Sequence, residues 1–184
     1  MQRRLREEFE ASALPYLQEL LRAAMRLCGS RAAAEDLVQE AYLQAWRSFS
    51  RFEHGTNCRA WLYKILMFSH SRQRRSTARQ PQTTHLNEAG DVAVLFDPPT
   101  PDALTAASVS AAFDKVPEPF RTAVVLVDVE EFTYREAADI LGVPIGTVMS
   151  RLSRGRRVLR LELVEQAAAM GIDVDDRRER QGSS

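Results

Sequence analysis

The segment Phe132-Thr-Tyr-Arg-Glu-Ala-Ala-Asp-Ile-Leu-Gly-Val-Pro-Ile-Gly-Thr-Val-Met-Ser-Arg-Leu152 carries the signals of a helix, a tight turn and a second helix. Thr133 followed by Glu136 is a capping box, in which each side chain satisfies a free backbone amide at the helix start. Ala137, Ala138, Ile140 and Leu141 give that helix its apolar face. Gly142 suits the left-handed position that ends it, and Pro144 suits the first turn of the next. On the second helix Ile145, Val148, Leu152, Gly155 and Leu159 share one stripe, while Thr147, Ser150, Arg151, Arg154 and Arg157 cluster on the other side. One face then anchors the helix, and the other presents hydroxyl and guanidinium groups of the kind that read a DNA major groove. An ordinary helical hairpin with a basic exterior is the plainer alternative.

Working outward, Leu104–Phe113 and Glu118–Val129 are apolar at helical spacing, separated by Val116-Pro-Glu-Pro119. Val124-Val-Leu-Val127 has strand-like composition, but it lies inside a longer helical period. Before these, Thr77 to Thr105 shifts to Pro, Thr, Asp and Gly and reads as a linker. The N-terminal part gives three further helices. Leu14–Met25 ends at Cys28-Gly-Ser30. From the Ser30 cap, a helix runs to Trp46, with Ala34, Leu37, Val38, Ala41 and Ala45 inward and Asp36, Gln39, Glu40 and Gln44 outward. After a Gly/Ser/Asn loop from Ser48 to Asn57, Cys58 to Arg75 forms the third. Asp173 to Ser184 is charged and small, a frayed tail.

The 184 residues carry 25 Lys+Arg against 25 Asp+Glu, so a charged partner has to be read from placement rather than net charge. Arg47, Arg51, Arg59, Lys64, Arg72, Arg74, Arg75 and Arg79 meet the single acid Glu53. Residues Gln80–Asp114 contain acids and no base, and Arg151, Arg154, Arg156, Arg157 and Arg160 have no acid among them. Two basic segments flanking an acidic one fit a polyanion touched at two places, and on charge alone fit two solvated helix faces equally well. Two cysteines outside any CxxC pair exclude a disulfide scaffold and a four-ligand zinc finger. The pattern His54, Cys58 with Cys28 and His70 is broken by Gly55, so no metal and no cofactor is assigned. Asp36 and Glu40 lack a nucleophile or histidine partner, and no catalytic residue is assigned. The charged N-terminus is no signal peptide and no apolar run is long enough to insert in a membrane, which fits the cytoplasm.

Two motif blocks resemble the bacterial sigma factors of the small extracytoplasmic-function (ECF) subgroup. Ala34-Glu-Asp-Leu-Val-Gln-Glu-Ala-Tyr-Leu-Gln-Ala-Trp46 and Phe52-Glu-His-Gly-Thr-Asn-Cys-Arg-Ala-Trp-Leu-Tyr-Lys-Ile-Leu66 are similar to that group's second sigma domain. Val116-Pro-Glu-Pro-Phe-Arg-Thr-Ala123 and Tyr134–Leu159 are similar to its fourth. Met67-Phe-Ser-His70 departs, standing where many relatives carry an asparagine-containing polar segment.

The resemblance implies an all-α fold of two small helical domains joined by a flexible acidic linker, divided as 1–76, 77–104 and 105–168, with a disordered tail at 169–184. It also implies a monomer that binds core RNA polymerase and directs it to promoter DNA. Asp36, Gln39, Glu40 and Leu43 match the surface that docks on the beta-prime clamp coiled coil, and the beta flap is a second polymerase contact. Phe52, Thr56, Asn57, Trp61, Lys64, Arg72 and Arg75 match the minus-ten reading region. There a loop pockets a flipped base and arginines hold phosphates. For Trp61, core packing and base stacking stay open alternatives. Thr147, Ser150, Arg151, Arg154 and Arg157 match the minus-thirty-five helix, and family habit adds an anti-sigma factor that masks these faces. The competing reading is a helix-turn-helix transcription factor with a sensory N-terminal half, but nothing in the first 75 residues or so resembles an acidic receiver pocket. An RNA-binding helical module lacks the expected sheet.

Overall fold

A computed structural model describes residues 2–53, 55–79 and 106–169, and among them the regular structure is entirely helical. The N-terminal body contains α1 (Gln2–Ala13), a 3-10 turn Leu14–Tyr16, α2 (Leu17–Cys28), α3 (Arg31–Ser48), a second 3-10 turn Phe49–Arg51 and α4 (Cys58–Arg79). The C-terminal body contains α5 (Ala106–Lys115), α6 (Glu118–Val124), a π-helical turn Val125–Val129, α7 (Tyr134–Leu141) and α8 (Ile145–Ala169).

Local chemistry sets these boundaries. Gly29, at φ 69°, ends α2 in the left-handed region, and the Ser30 side chain accepts from the amide of Ala33 at 3.3 Å to begin α3. The five small and branched residues expected inward on α3 are all buried. They meet Leu20, Ala23, Ala24 and Leu27 of α2 and Leu62, Tyr63 and Leu66 of α4. Each large side chain fully withdrawn from water there contributes about 1.5–3 kcal/mol.

Four features differ from the sequence reading. Helix α1 was not expected: its apolar positions Leu5, Phe9 and Ala13 form a thin stripe, but Phe9 sets its ring edge-on against Tyr42, Trp46 and Phe49 at 5.1–6.3 Å. Helix α4 runs on to Arg79, because nothing after Arg75 breaks it until the composition changes. Glu118–Val129 is not one α-helix; the Glu130 amide donates to the Val125 carbonyl at 2.9 Å, a π turn, and Glu131 follows at φ 56°. Ile145 is 43% exposed rather than packed in the α8 stripe, since it lies at the open first turn.

The two bodies also pack on one another, which the sequence reading left unspecified. Arg121, buried in α6, donates to the carbonyls of Val116 and Asp114 and across to Leu27 of α2 at 3.1 Å. Phe132 sets its ring edge-on to Tyr63 of α4 at 4.9 Å. Of the expected linker at 77–104, residues 77–79 belong to α4, and of the expected tail at 169–184, Ala169 belongs to α8; the rest of both lies outside the described residues.

Candidate functional site

On α3, Asp36, Gln39 and Leu43 stand exposed beside Trp46, with Leu43 52% open to solvent. Burying the opposite stripe turns these residues outward. Glu40 differs, being half-buried because its carboxylate reaches α4, where it accepts from Arg72 and, at 2.8 Å, from Gln73 Nε2. The surface combines two acids, an amide and two large apolar side chains, a mixture suited to a basic, partly apolar protein partner.

The segment from Phe52 to Lys64 brings the second predicted set together. Phe52 stacks on Phe49 at 5.7 Å with planes 11° apart, and its ring lies 4.7 Å from Trp61. Both Phe52 and Trp61 are half-buried, so Trp61 both packs and keeps an open edge. Thr56 and Asn57 are exposed. The Thr56 hydroxyl donates to the Glu53 carbonyl at 2.7 Å, and Asn57 Oδ1 caps α4 by accepting from the Ala60 amide at 3.0 Å. Lys64, Arg72 and Arg75 project outward further along α4, giving a basic helix next to an aromatic pair. That pairing of stacking rings and cations suits single-stranded nucleic acid. His54 lies outside the described residues.

The third set sits on α8. The capping box is formed: Thr133 Oγ1 accepts from the Glu136 amide at 3.2 Å, and the Glu136 carboxylate accepts from the Thr133 amide at 3.0 Å. The Thr133 amide, and after it the Thr133 hydroxyl that donates to the same carboxylate at 2.8 Å, hold the Glu136 carboxyl below its usual range. Gly142 takes φ 64°, and buried Val148, Leu152 and Gly155 anchor α8 on the elements before it. Ser150, Arg154 and Arg157 are exposed, with Thr147 and Arg151 half-buried. The Ser150 hydroxyl donates to the Thr147 carbonyl at 3.0 Å, and the Arg154 guanidinium lies 5.8 Å from the Phe120 ring centre.

One arginine departs from the acid-free pattern of the segment: Arg156 Nε donates to Asp128 Oδ2 at 2.9 Å, and the pairing raises its pKa. An open groove of about 400 Å³ runs beside this face, lined in part by Tyr134, Met149, Leu152, Arg156, Arg157 and Leu161.

Sequence reasoning missed the polar contacts made by Arg59, Tyr63 and Glu130, whose partners lie 40 to 71 residues away. The thiols are poorly suited to redox work, because burial pushes Cys28 up to about 11 against the pull of Arg121 and Arg74, and burial also raises Cys58. Among the described residues no group of three or more His, Cys, Asp and Glu is placed to hold a metal, and no helix is long and apolar enough to cross a membrane.

Residues 14–80 match the family model for sigma-70 region 2, and residues 106–159 match that for sigma-70 region 4. An ECF RNA polymerase sigma factor, EcfG of Rhodopseudomonas palustris, is 34% identical over 156 residues, covering 84% of this chain and 82% of that relative. The chain belongs to the ECF sigma factors of the sigma-70 family. A second ECF sigma factor, SigE of Mycolicibacterium smegmatis, is 35% identical over 173 residues; the match covers 86% of this chain and 66% of that protein, so this chain spans about two thirds of its length. The sigma factor RpoE, solved in complex with the anti-sigma factor NepR from Bartonella quintana, superposes with a TM-score of 0.71 at 32% identity, covering 86% of this chain and 98% of that one. This ECF sigma factor is therefore a transcription initiation factor and not an enzyme. Its region 2 spans the surfaces on α3 and α4, and its region 4 carries the surface on α8.

Proposed function

We propose that this ECF sigma factor binds core RNA polymerase through Asp36, Gln39, Glu40 and Leu43 on the clamp coiled coil, with region 4 meeting the beta flap. Region 2 then reads the minus-ten element: Phe52 and Trp61 offer rings for an unstacked base, Thr56 and Asn57 offer polar edges, and Lys64, Arg72 and Arg75 hold phosphates. Region 4 enters the minus-thirty-five major groove with α8. Ser150, Arg151 and Arg154 face base edges there, beside Thr147, and Arg157 contacts phosphate. The working units are residues 1–76 and 105–168, acting as a cytoplasmic monomer.

The observation that carries this reading is the outward placement of an acidic and apolar face on α3 together with a hydroxyl and guanidinium face on α8. An anti-sigma factor fits as a further partner, since the RpoE relative was solved bound to one.

Co-elution with purified core polymerase tests the docking assignment. Asp36→Ala combined with Glu40→Ala is expected to weaken core binding at least tenfold with helicity unchanged. Undiminished binding by the folded double variant contradicts the assignment.

A further inference from the structure

Phe68 stands on α4 with 57% of its surface open to water, the most exposed of the large apolar side chains among the described residues. Leu62, Leu66 and Met67 turn inward and hold the helix, whereas Phe68 takes no part in the hydrophobic core. It lies in Met67-Phe-Ser-His70, the stretch where the chain departs from the sigma pattern. A single exposed ring on a bland surface needs no special reason, but this one has neighbours. At 3.6 residues per turn, Trp61, Lys64, Phe68, Arg72 and Arg75 share one face of α4. Lys64 and Arg72 stand one turn either side of the ring, and Trp61 and Arg75 two turns. Lys64, Arg72 and Arg75 are exposed and Trp61 is half-buried. From Cys58 to Arg79 the helix contains no acid, and Glu40 of α3 reaches this face to bond Arg72.

Charge and ring chemistry together select the occupant of this stripe. Cations on both sides of an apolar ring suit a partner that alternates negative charge with flat apolar faces. A single DNA strand has that make-up, with a phosphate at every step and unpaired bases that offer their π faces. In a closed duplex those faces are hidden in the stack, so the ring meets them only where the strands are open. An acidic peptide bearing apolar side chains is the competing occupant. Continuity favours the strand, because the stripe begins at Trp61, half of the ring pair that Phe52 and Trp61 make at 4.7 Å. Along the helix axis Phe68 lies about 10 Å from Trp61 at 1.5 Å per residue, the rise of about three stacked nucleotides at 3.4 Å each. A base at Phe68 is therefore a different one from the base offered to Phe52 and Trp61.

We infer that Phe68 stacks on a second unpaired base of the minus-ten strand, with Lys64 and Arg72 holding the phosphates on either side of it. This contact extends the proposed minus-ten surface along α4 and so rests on that functional reading.

The test uses holoenzyme assembled from core polymerase and the full-length chain, with a fluorescein-labelled single-stranded DNA that the wild-type holoenzyme selects from a randomised pool. Phe68→Ala and Phe68→Leu are expected to weaken binding of that strand at least about fivefold, the lower end of what a base stacked on a ring contributes, while Phe68→Trp stays within about twofold of wild type. Helicity and co-elution with core should be unchanged in all three, since the side chain lies outside the hydrophobic core. An abasic nucleotide moved along the strand should, at one position, weaken wild type and leave Phe68→Ala unaffected, and a different position should respond to Trp61→Ala. Binding by Phe68→Ala equal to wild type overturns the stacking contact. So does Phe68→Leu that binds as wild type does, or a loss of core binding in Phe68→Ala, which would make the ring a protein contact. A wild-type holoenzyme that selects no strand overturns the minus-ten reading and this contact together.

Discussion

Glu40 and Arg72 are bonded to each other, joining the acidic face of α3 to the basic run of α4, and Gln73 Nε2 closes the same carboxylate at 2.8 Å. Two side chains that sequence reasoning assigned to different partners, a protein and a nucleic acid, thus share one contact in the free chain. Arg72 is 63% exposed, so water screens the pair and it contributes about 0–1 kcal/mol. Arg72→Gln is therefore expected to move the urea unfolding free energy by less than about 1 kcal/mol. A larger loss indicates that the pair holds α3 on α4.

Gly155 and Gly146 lie on the same helix and predict opposite outcomes. A β-carbon on Gly155 would stand 2.6 Å from Val124 Cγ2 and 3.0 Å from the Phe120 carbonyl oxygen, whereas one on Gly146 meets nothing within 4 Å. Gly155→Ala should cost about 1–3 kcal/mol through overpacking, despite the better helix propensity of alanine. Gly146→Ala should stabilise by up to about 1 kcal/mol. Denaturant titration of both variants checks the pair, and equal shifts would contradict the close α6–α8 approach.

His70 supplies a pH dependence. Its Nδ1 is buried without a hydrogen-bond partner, 3.6 Å from Glu118 Oε1. Burial lowers its pKa from 6.5, Glu118 opposes that shift, and Arg74 and Arg121 add to it. The folded state therefore favours neutral histidine. Its stabilising contribution is full above the unfolded value and declines as pH falls through 6.5 toward the folded value. The unfolding free energy should drop as pH falls below 6.5, and His70→Gln should flatten that drop. An unchanged slope in His70→Gln rules out the assignment.

Glu136 acts in the same sense, over a more acid range. Because the capping box holds its carboxyl below 4.5, its contribution is present at neutral pH and is lost as pH falls below that ordinary value. Glu136→Ala removes half of the box, at a cost of about 1 kcal/mol. Thermal melts at neutral and acid pH should therefore converge for wild type and variant as the carboxylate is protonated, and a gap that persists in acid would point to packing instead.

Elements whose signals are local were legible in the sequence. The Ser30 cap, the Thr133–Glu136 box, Gly142 and the α3 stripe each depend on residues within a few positions, and all appear as read. Helix α1 escaped because its apolar stripe is thin and its remaining surface is charged, with pairs such as Arg6–Glu10 supporting it from within. The π turn escaped because Val124–Val129 is apolar but for Asp128 and carries no period that separates the two helix types. Of the candidate sites, the outward residues on α3 and α8 followed from amphipathic spacing. The engagement of Asn57 with Glu136, and of Arg59 and Tyr63 with Glu130, depends on how two distant segments meet, which no local pattern encodes.

Run-off transcription with purified core polymerase on a promoter library tests the central claim most directly. Wild-type protein should confer discrete start sites, and Arg151→Ala combined with Arg154→Ala should abolish that selectivity while co-eluting with core as wild type does. A wild-type chain that confers no start-site preference, or a double variant that retains the full preference, would contradict it.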